Sequence, residues 1–214
     1  MNEAPQPVAA VVQERFSIAE AIGGGRGLLD AGLPGIVFVT VYTITRSLTA
    51  AVWGAIAAGA LLTAVRLARR ETVQHALAGF VGVAIAAFIA QRTGRAENFF
   101  LPGLFINAGY ALAYLVSILV RWPLLGLFVG AMYGQGTAWR RDPAQLRAFT
   151  LASWVWVAMF CLRIAVQWPL YLAGALVPLG VARLAMGWPL FLLAVWISWL
   201  LLRPVSPRKT ARVD

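Results

Sequence analysis

A long apolar run near the carboxyl end, residues 148–176, constrains the fold more than any other feature. Its only polar side chains are Thr150, Ser153, Arg163 and Gln167. A soluble domain has no use for an apolar helix of this length, whereas the hydrocarbon core of a bilayer takes about 20 such residues. The run therefore predicts an integral membrane protein that holds one charge, Arg163, at depth.

The rest of the chain agrees with a membrane location. Its 214 residues are 61% hydrophobic and 12% charged, whereas soluble domains have about 25% charged residues. The apolar runs are long and continuous and lack the alternation that is typical of membrane β-strands. The sequence thus predicts an all-α, polytopic helical membrane protein.

Six transmembrane helices are expected from the apolar runs, at 33–48, 49–65, 72–90, 101–120, 146–177 and 188–202. They form one transmembrane domain, 33–202, between a cytoplasmic N-terminal arm, 1–32, and a basic cytoplasmic tail, 203–214. Spans one and two follow each other almost without a loop and predict a tight hairpin. Pro178 is expected to end span five, and 179–187 is expected to be a connector that carries Arg183.

The segment 122–139 is apolar but short and interrupted by glycines, and the positive charges decide whether it crosses. If it is a re-entrant or interfacial helix, both termini are cytoplasmic and thirteen cations lie inside against four outside. The four outside are Arg46, Arg92, Arg95 and Arg183. No seven-span arrangement matches the positive-inside rule as well. We therefore predict six spans plus one re-entrant or interfacial helix, in the plasma membrane.

Arg163 is the sharpest candidate for function, because a charge at the bilayer centre costs about 2.5–3.5 kcal/mol on insertion scales. It could bind an anion or a lipid headgroup. Alternatively, it could be structural, bonded to carbonyls freed near Pro169, or extended towards one membrane surface. Other polar side chains of the spans either line a cavity with it or form ordinary bonds between helices: Gln167, Asn107, Tyr110, Tyr42 and Arg46.

No constellation for catalysis or for a metal is apparent. The chain has one cysteine and one histidine, and no two carboxylates have catalytic spacing. We expect no enzyme activity, no cofactor and no metal. The net charge of +10 comes from arginines at the ends of apolar runs, which is typical of topology signals and contacts with anionic lipid headgroups. Nucleic acid is therefore not an expected partner, whereas membrane lipids, membrane proteins or a homo-oligomer are.

The stretch that begins Leu33, Pro34 and Gly35 and reaches Tyr42 resembles the opening of the intracellular septation protein A family. The whole chain over about 33–202 also resembles an actinobacterial membrane family designated domain of unknown function 3159. The resemblance implies a cytoplasmic-membrane protein of cell-envelope maintenance or division, without catalytic residues to carry over. The alternative function is a small transporter or a lipid-handling protein that uses Arg163.

Overall fold

A computed structural model describes residues 24–69, 73–132 and 136–203. These residues form helices and turns and contain no strand, so the predicted all-α class is confirmed. The predicted arm and basic tail lie for the most part outside the described residues. The α-helices are α1 (Gly24–Thr45), α2 (Leu48–Ala68), α3 (Val73–Thr93), α4 (Leu101–Leu119), α5 (Leu124–Met132), α6 (Pro143–Leu172), α7 (Leu176–Ala185) and α8 (Trp188–Leu202). Short 3₁₀ turns cover Ala96–Phe99 and Ala138–Arg141.

Four helices of the described residues are long and apolar enough to cross a membrane. They are Leu48–Ala68, Leu101–Leu119, Pro143–Leu172 and Leu176–Leu202, the last of which joins α7 and α8. Shorter apolar helices cover Gly32–Thr45 and Leu77–Thr93. The predicted count of six spans is therefore not supported, because only four of the described helices meet the length and hydropathy of a crossing, and the described apolar parts of α1 and α3 are shorter.

The chain divides into two compact units, Met1–Ala96 and Glu97–Asp214. In the first unit, α1 and α2 form the predicted tight hairpin. Arg46 reverses the chain with a φ of 52°, and the Ser47 hydroxyl caps α2 by accepting a bond from the Ala50 amide at 3.3 Å. A left-handed φ costs a residue other than glycine about 1–2 kcal/mol. The turn therefore carries a conformational cost at Arg46.

Small residues of α2 set how closely its neighbours approach. A Cβ added at Gly54 would lie 3.4 Å from side-chain atoms of both Val37 and Val41 in α1. A Cβ added at Gly59 would lie 3.5 Å from side-chain atoms of Phe80 and Val83 in α3. Both glycines thus bring neighbouring helices close, since small residues allow membrane helices to pack closely.

The second unit is built around α6, which packs against α4, α5, α7 and α8. Asp142 starts α6 by accepting a hydrogen bond from the Ala144 amide at 2.8 Å. The helix ends in a Schellman motif: the amide of Gly174, with a φ of 65°, donates to Tyr171, and the next amide donates to Leu170. Glycine is favoured at this position because the left-handed conformation costs it nothing.

The connection after α6 differs from the prediction in two ways. The chain breaks at Gly174 and not at Pro178, which lies in the first turn of α7, where a proline is tolerated because the first amides of a helix lack partners anyway. The predicted connector 179–187 is also wrong, since most of it is helical and belongs to α7. Arg183 therefore lies on an apolar helix rather than in a loop.

The segment 122–139 contains α5, which has nine residues and is about 14 Å long at 1.5 Å per residue. It is too short to cross a bilayer core of about 30 Å. The Gly136 amide donates to the Gly130 carbonyl at 3.2 Å. Trp139, 1% exposed, fills the space above Gly126 and Gly130. The glycines of this segment thus make room for one buried indole.

Aromatic side chains join α4, α6 and α8. Tyr110 stacks on Phe160 with centroids 5.4 Å apart, and Tyr114 stacks on Trp156 at 5.8 Å. The Trp156 indole also donates a hydrogen bond to the Ser198 hydroxyl of α8 at 3.1 Å. These contacts hold α4, α6 and α8 together. Arg163 lies about two-thirds of the way along α6.

Candidate functional site

Arg163 reaches from α6 to the junction of α7 and α8. Its Nη2 donates a hydrogen bond to the carbonyl oxygen of Gly187, which also accepts from the Phe191 amide of α8 at 3.2 Å. The acceptor is therefore on another helix and is not a carbonyl near Pro169, as the structural alternative expected. Arg163 ties α6 to the start of α8.

One hydrogen-bond donor of Arg163 has no acceptor among the described residues. Its Nε is buried and has no hydrogen-bond partner within the described part of the chain. Buried donors are almost always satisfied, and an unmade bond costs about 1–3 kcal/mol. The guanidinium thus holds a donor that the described residues do not use.

Arg183 approaches the same region from α7. Its Nη1 donates to the Phe100 carbonyl at 3.3 Å, and its Cζ lies 5.4 Å from the centre of the Phe100 ring. The guanidinium passes so close to Gly103 that a Cβ there would lie 2.6 Å from Cζ. Gly103 therefore leaves the space in which this cation sits.

Together Arg163 and Arg183 form what we call the arginine pair. Arg163 bonds to Gly187, two residues after the end of α7, and Arg183 lies in the last turn of α7, so both cations lie at this end of α7 and their like charges repel each other. Two carboxylates lie in the described part of the second unit: Asp142 caps α6, and the Oε1 atom of Glu97 lies near Gly174. The pair is a site of concentrated positive charge between apolar helices.

The other predicted site residues of the second unit have different surroundings. Gln167, 2% exposed, lies on α6 one turn after Arg163. Asn107 donates from Nδ2 to the Gly103 carbonyl at 2.7 Å, one turn along α4 from the glycine that faces Arg183. Tyr110 is 53% exposed and stacks on Phe160. Gln167 thus lies one turn from Arg163 on α6, and Asn107 lies one turn from Gly103 on α4. Tyr110 belongs to the aromatic packing.

Tyr42 and Arg46 lie in the first unit. Tyr42 stacks on Phe38 with centroids 6.5 Å apart, and Arg46 is the exposed turn residue described above. The neighbouring hydroxyls of Thr43 and Thr45 donate to carbonyls one turn earlier, at 2.7 and 2.8 Å. The two hydroxyls at the end of α1 therefore bond within their own helix rather than between helices.

Arg183 is the residue that the sequence reasoning missed. It was assigned to an outside loop because Pro178 was read as the end of a helix. Two signals could have identified it: its apolar surroundings on both sides, and Gly103 in the first turn of α4. Within the described residues, no three His, Cys, Asp or Glu side chains come together to hold a metal ion.

The four long apolar helices indicate the class, an all-helical membrane protein. A family model described as "Protein of unknown function (DUF3159)" matches residues 22–209. The chain belongs to this family. No curated protein and no solved structure matches it.

Proposed function

We propose that this chain is a non-enzymatic membrane protein that binds an anionic group of the phosphate type at the arginine pair. The observation that carries the proposal is the buried Nε of Arg163, a donor without an acceptor in the described residues. A ligand oxygen would supply the missing bond. The guanidinium fork matches phosphate oxygens and can donate two parallel hydrogen bonds.

The charges support the same proposal. Two cations that lie close together between apolar helices repel each other, and each is costly at membrane depth. An anion between them would offset both effects, because it attracts each guanidinium in surroundings of low dielectric constant. Gly103 contributes by keeping free the volume that the Arg183 guanidinium occupies.

For the setting, we propose the plasma membrane, six crossings and two cytoplasmic termini. The helices α1 and α3 would add two crossings to the four long helices. The support is the distribution of thirteen cations inside against four outside. In this topology α6 runs outward, so the arginine pair lies towards the outer face. Reporters of compartment fused to each terminus should both read cytoplasm, and different answers would contradict this topology.

The resemblance to the septation family supports a role in envelope maintenance or division. Binding an anionic component at the outer half of the membrane is a chemistry that such a role can use. The actinobacterial setting, membrane-protein partners and a homo-oligomer stay predictions of the same kind. Their support is the sequence pattern alone.

Equilibrium binding to the purified chain in neutral detergent tests the site. The probes are inorganic phosphate and dioleoyl phosphatidylglycerol, so that a soluble and a lipid phosphate are both offered. Each hydrogen bond to a charged group contributes about 1.5–3 kcal/mol, so Arg163→Met and Arg183→Met should each weaken binding roughly 10- to 150-fold. Arg163→Lys keeps the charge but not the fork and should lie between.

Arg141→Met is the matched control, since it removes an exposed arginine beside the first turn of α6, far along the helix from the pair. It should bind as the unchanged chain does. Circular dichroism of each variant checks that the helices are retained. Equal affinity of the unchanged chain, Arg163→Met and Arg183→Met for both probes would contradict the proposal.

A further inference from the structure

The surroundings of the arginine pair restrict the kind of phosphate it can receive. Leu162 and Val166 flank Arg163 within one turn of α6 and are 48% and 38% exposed. Val181 and Leu184 flank Arg183 on α7 and are 60% and 45% exposed. The helix turns that carry the two cations therefore also carry apolar side chains that the described part of the chain leaves uncovered.

We propose that the anion bound by the arginine pair is the phosphate of a membrane lipid, whose hydrocarbon chains lie against these exposed side chains. This inference rests on the proposed function and names its ligand class. A free phosphate would have to lose its water among apolar residues, which is costly for a charged group. A lipid phosphate is delivered from the side, along helices that already contact lipid.

The pair also restricts the headgroup. Two guanidinium groups attract the phosphate of any phospholipid but repel a quaternary or primary ammonium group attached to it. The arginine pair should therefore prefer a lipid with a net negative headgroup, such as phosphatidylglycerol, over zwitterionic phosphatidylcholine. The exposed flanks make no hydrogen bonds with a headgroup, so charge decides between the two.

Gly103 offers a variant that keeps both charges. A Cβ at this position would overlap the Arg183 guanidinium, so Gly103→Ala must move the cation away from Phe100. Gly109→Ala, on the same helix, is the matched control, because a Cβ there meets nothing within 4 Å. The comparison separates the placement of the cation from the effect of a methyl group on α4.

The experiment measures lipid retention by the full chain, with native mass spectrometry from neutral detergent. The probes are dioleoyl phosphatidylglycerol, dioleoyl phosphatidylcholine and sn-glycerol 3-phosphate. The unchanged chain and Gly109→Ala should retain phosphatidylglycerol with a preference of about tenfold or more over phosphatidylcholine. Arg163→Met and Gly103→Ala should lose most of that preference.

The outcomes separate the two proposals. If the unchanged chain binds glycerol 3-phosphate as tightly as phosphatidylglycerol, and Arg163→Met abolishes this binding, the lipid inference fails and the proposed function stands. Equal retention of both lipids by the unchanged chain also overturns the lipid inference. If Arg163→Met and Gly103→Ala both retain phosphatidylglycerol as the unchanged chain does, the proposed function itself fails.

Discussion

The packing of Trp139 against α5 predicts a double-mutant coupling. A Cβ at Gly126 would lie 2.8 Å from Cζ2 and 2.9 Å from Cη2 of the indole, nearer than real Cβ atoms approach a neighbour. Trp139 is 1% exposed and cannot move into open space. Gly126→Ala should therefore destabilise the second unit by about 1–3 kcal/mol, the usual cost of overpacking.

The cost should disappear when the indole is shortened. The three nearest atoms to the added Cβ all belong to the six-membered ring of Trp139, which Trp139→Phe withdraws. Trp139→Phe alone also loses the indole hydrogen bond to Gly136 at 3.1 Å, worth about 0.5–1.5 kcal/mol. In that background, Gly126→Ala should be close to neutral, giving a coupling free energy of about 1–3 kcal/mol.

Thermal unfolding of the four proteins of the cycle in detergent, followed by circular dichroism, measures this coupling. A change of 1 kcal/mol corresponds to about 2–4 °C for a chain of this size. Gly109→Ala, which meets nothing within 4 Å, is the control for adding a methyl group to a helix. The reasoning is refuted if Gly126→Ala matches that control, or if its cost is unchanged in the Trp139→Phe background.

Two further substitutions test other contacts by the same unfolding measurement. Ser198→Ala removes the acceptor of the Trp156 indole and should cost about 0.5–1.5 kcal/mol; an unchanged midpoint would mean that the bond adds nothing. Gly174→Ala places a side chain at a φ of 65° and beside Glu97, which should cost about 1–2 kcal/mol for the backbone and more for the contact. Gly94→Ala is its control, with a φ of 68° and nothing within 4 Å, and equal losses at both positions would show that the Glu97 contact is unimportant.

Hydropathy made part of the fold predictable. The long apolar runs located α2, α4, α6 and α8, because burial in lipid demands length and continuity that few other structures need. The hairpin of α1 and α2 also followed from the near absence of a loop between the two runs. Helix ends were less predictable, since Pro178 is compatible with both a helix start and a helix stop. Only the Schellman geometry at Gly174 distinguishes them.

Of the two arginines of the candidate site, one was predictable from the sequence. Arg163 stood out because no other charge lies in its apolar run. The role of Arg183 depends on a long side chain that reaches from α7 to the Phe100 carbonyl at the start of α4. These two residues are far apart in the chain. Spacing along a helix cannot report such a contact. The stacking of Tyr110 on Phe160 was not predictable for the related reason that Phe160 is an ordinary apolar residue of another helix.

Two arginines adopt backbone conformations that glycine would take more easily. Arg46 and Arg121 have φ angles of 52° and 56°, each within two residues of a helix end, and each conformation disfavours a side chain by about 1–2 kcal/mol. Glycine would relieve this strain but would delete a positive charge at a helix end. The fold thus gives up some stability at two turns to keep a cation there, so a version of this chain optimised for thermal resistance alone would lose charges beside its helix ends.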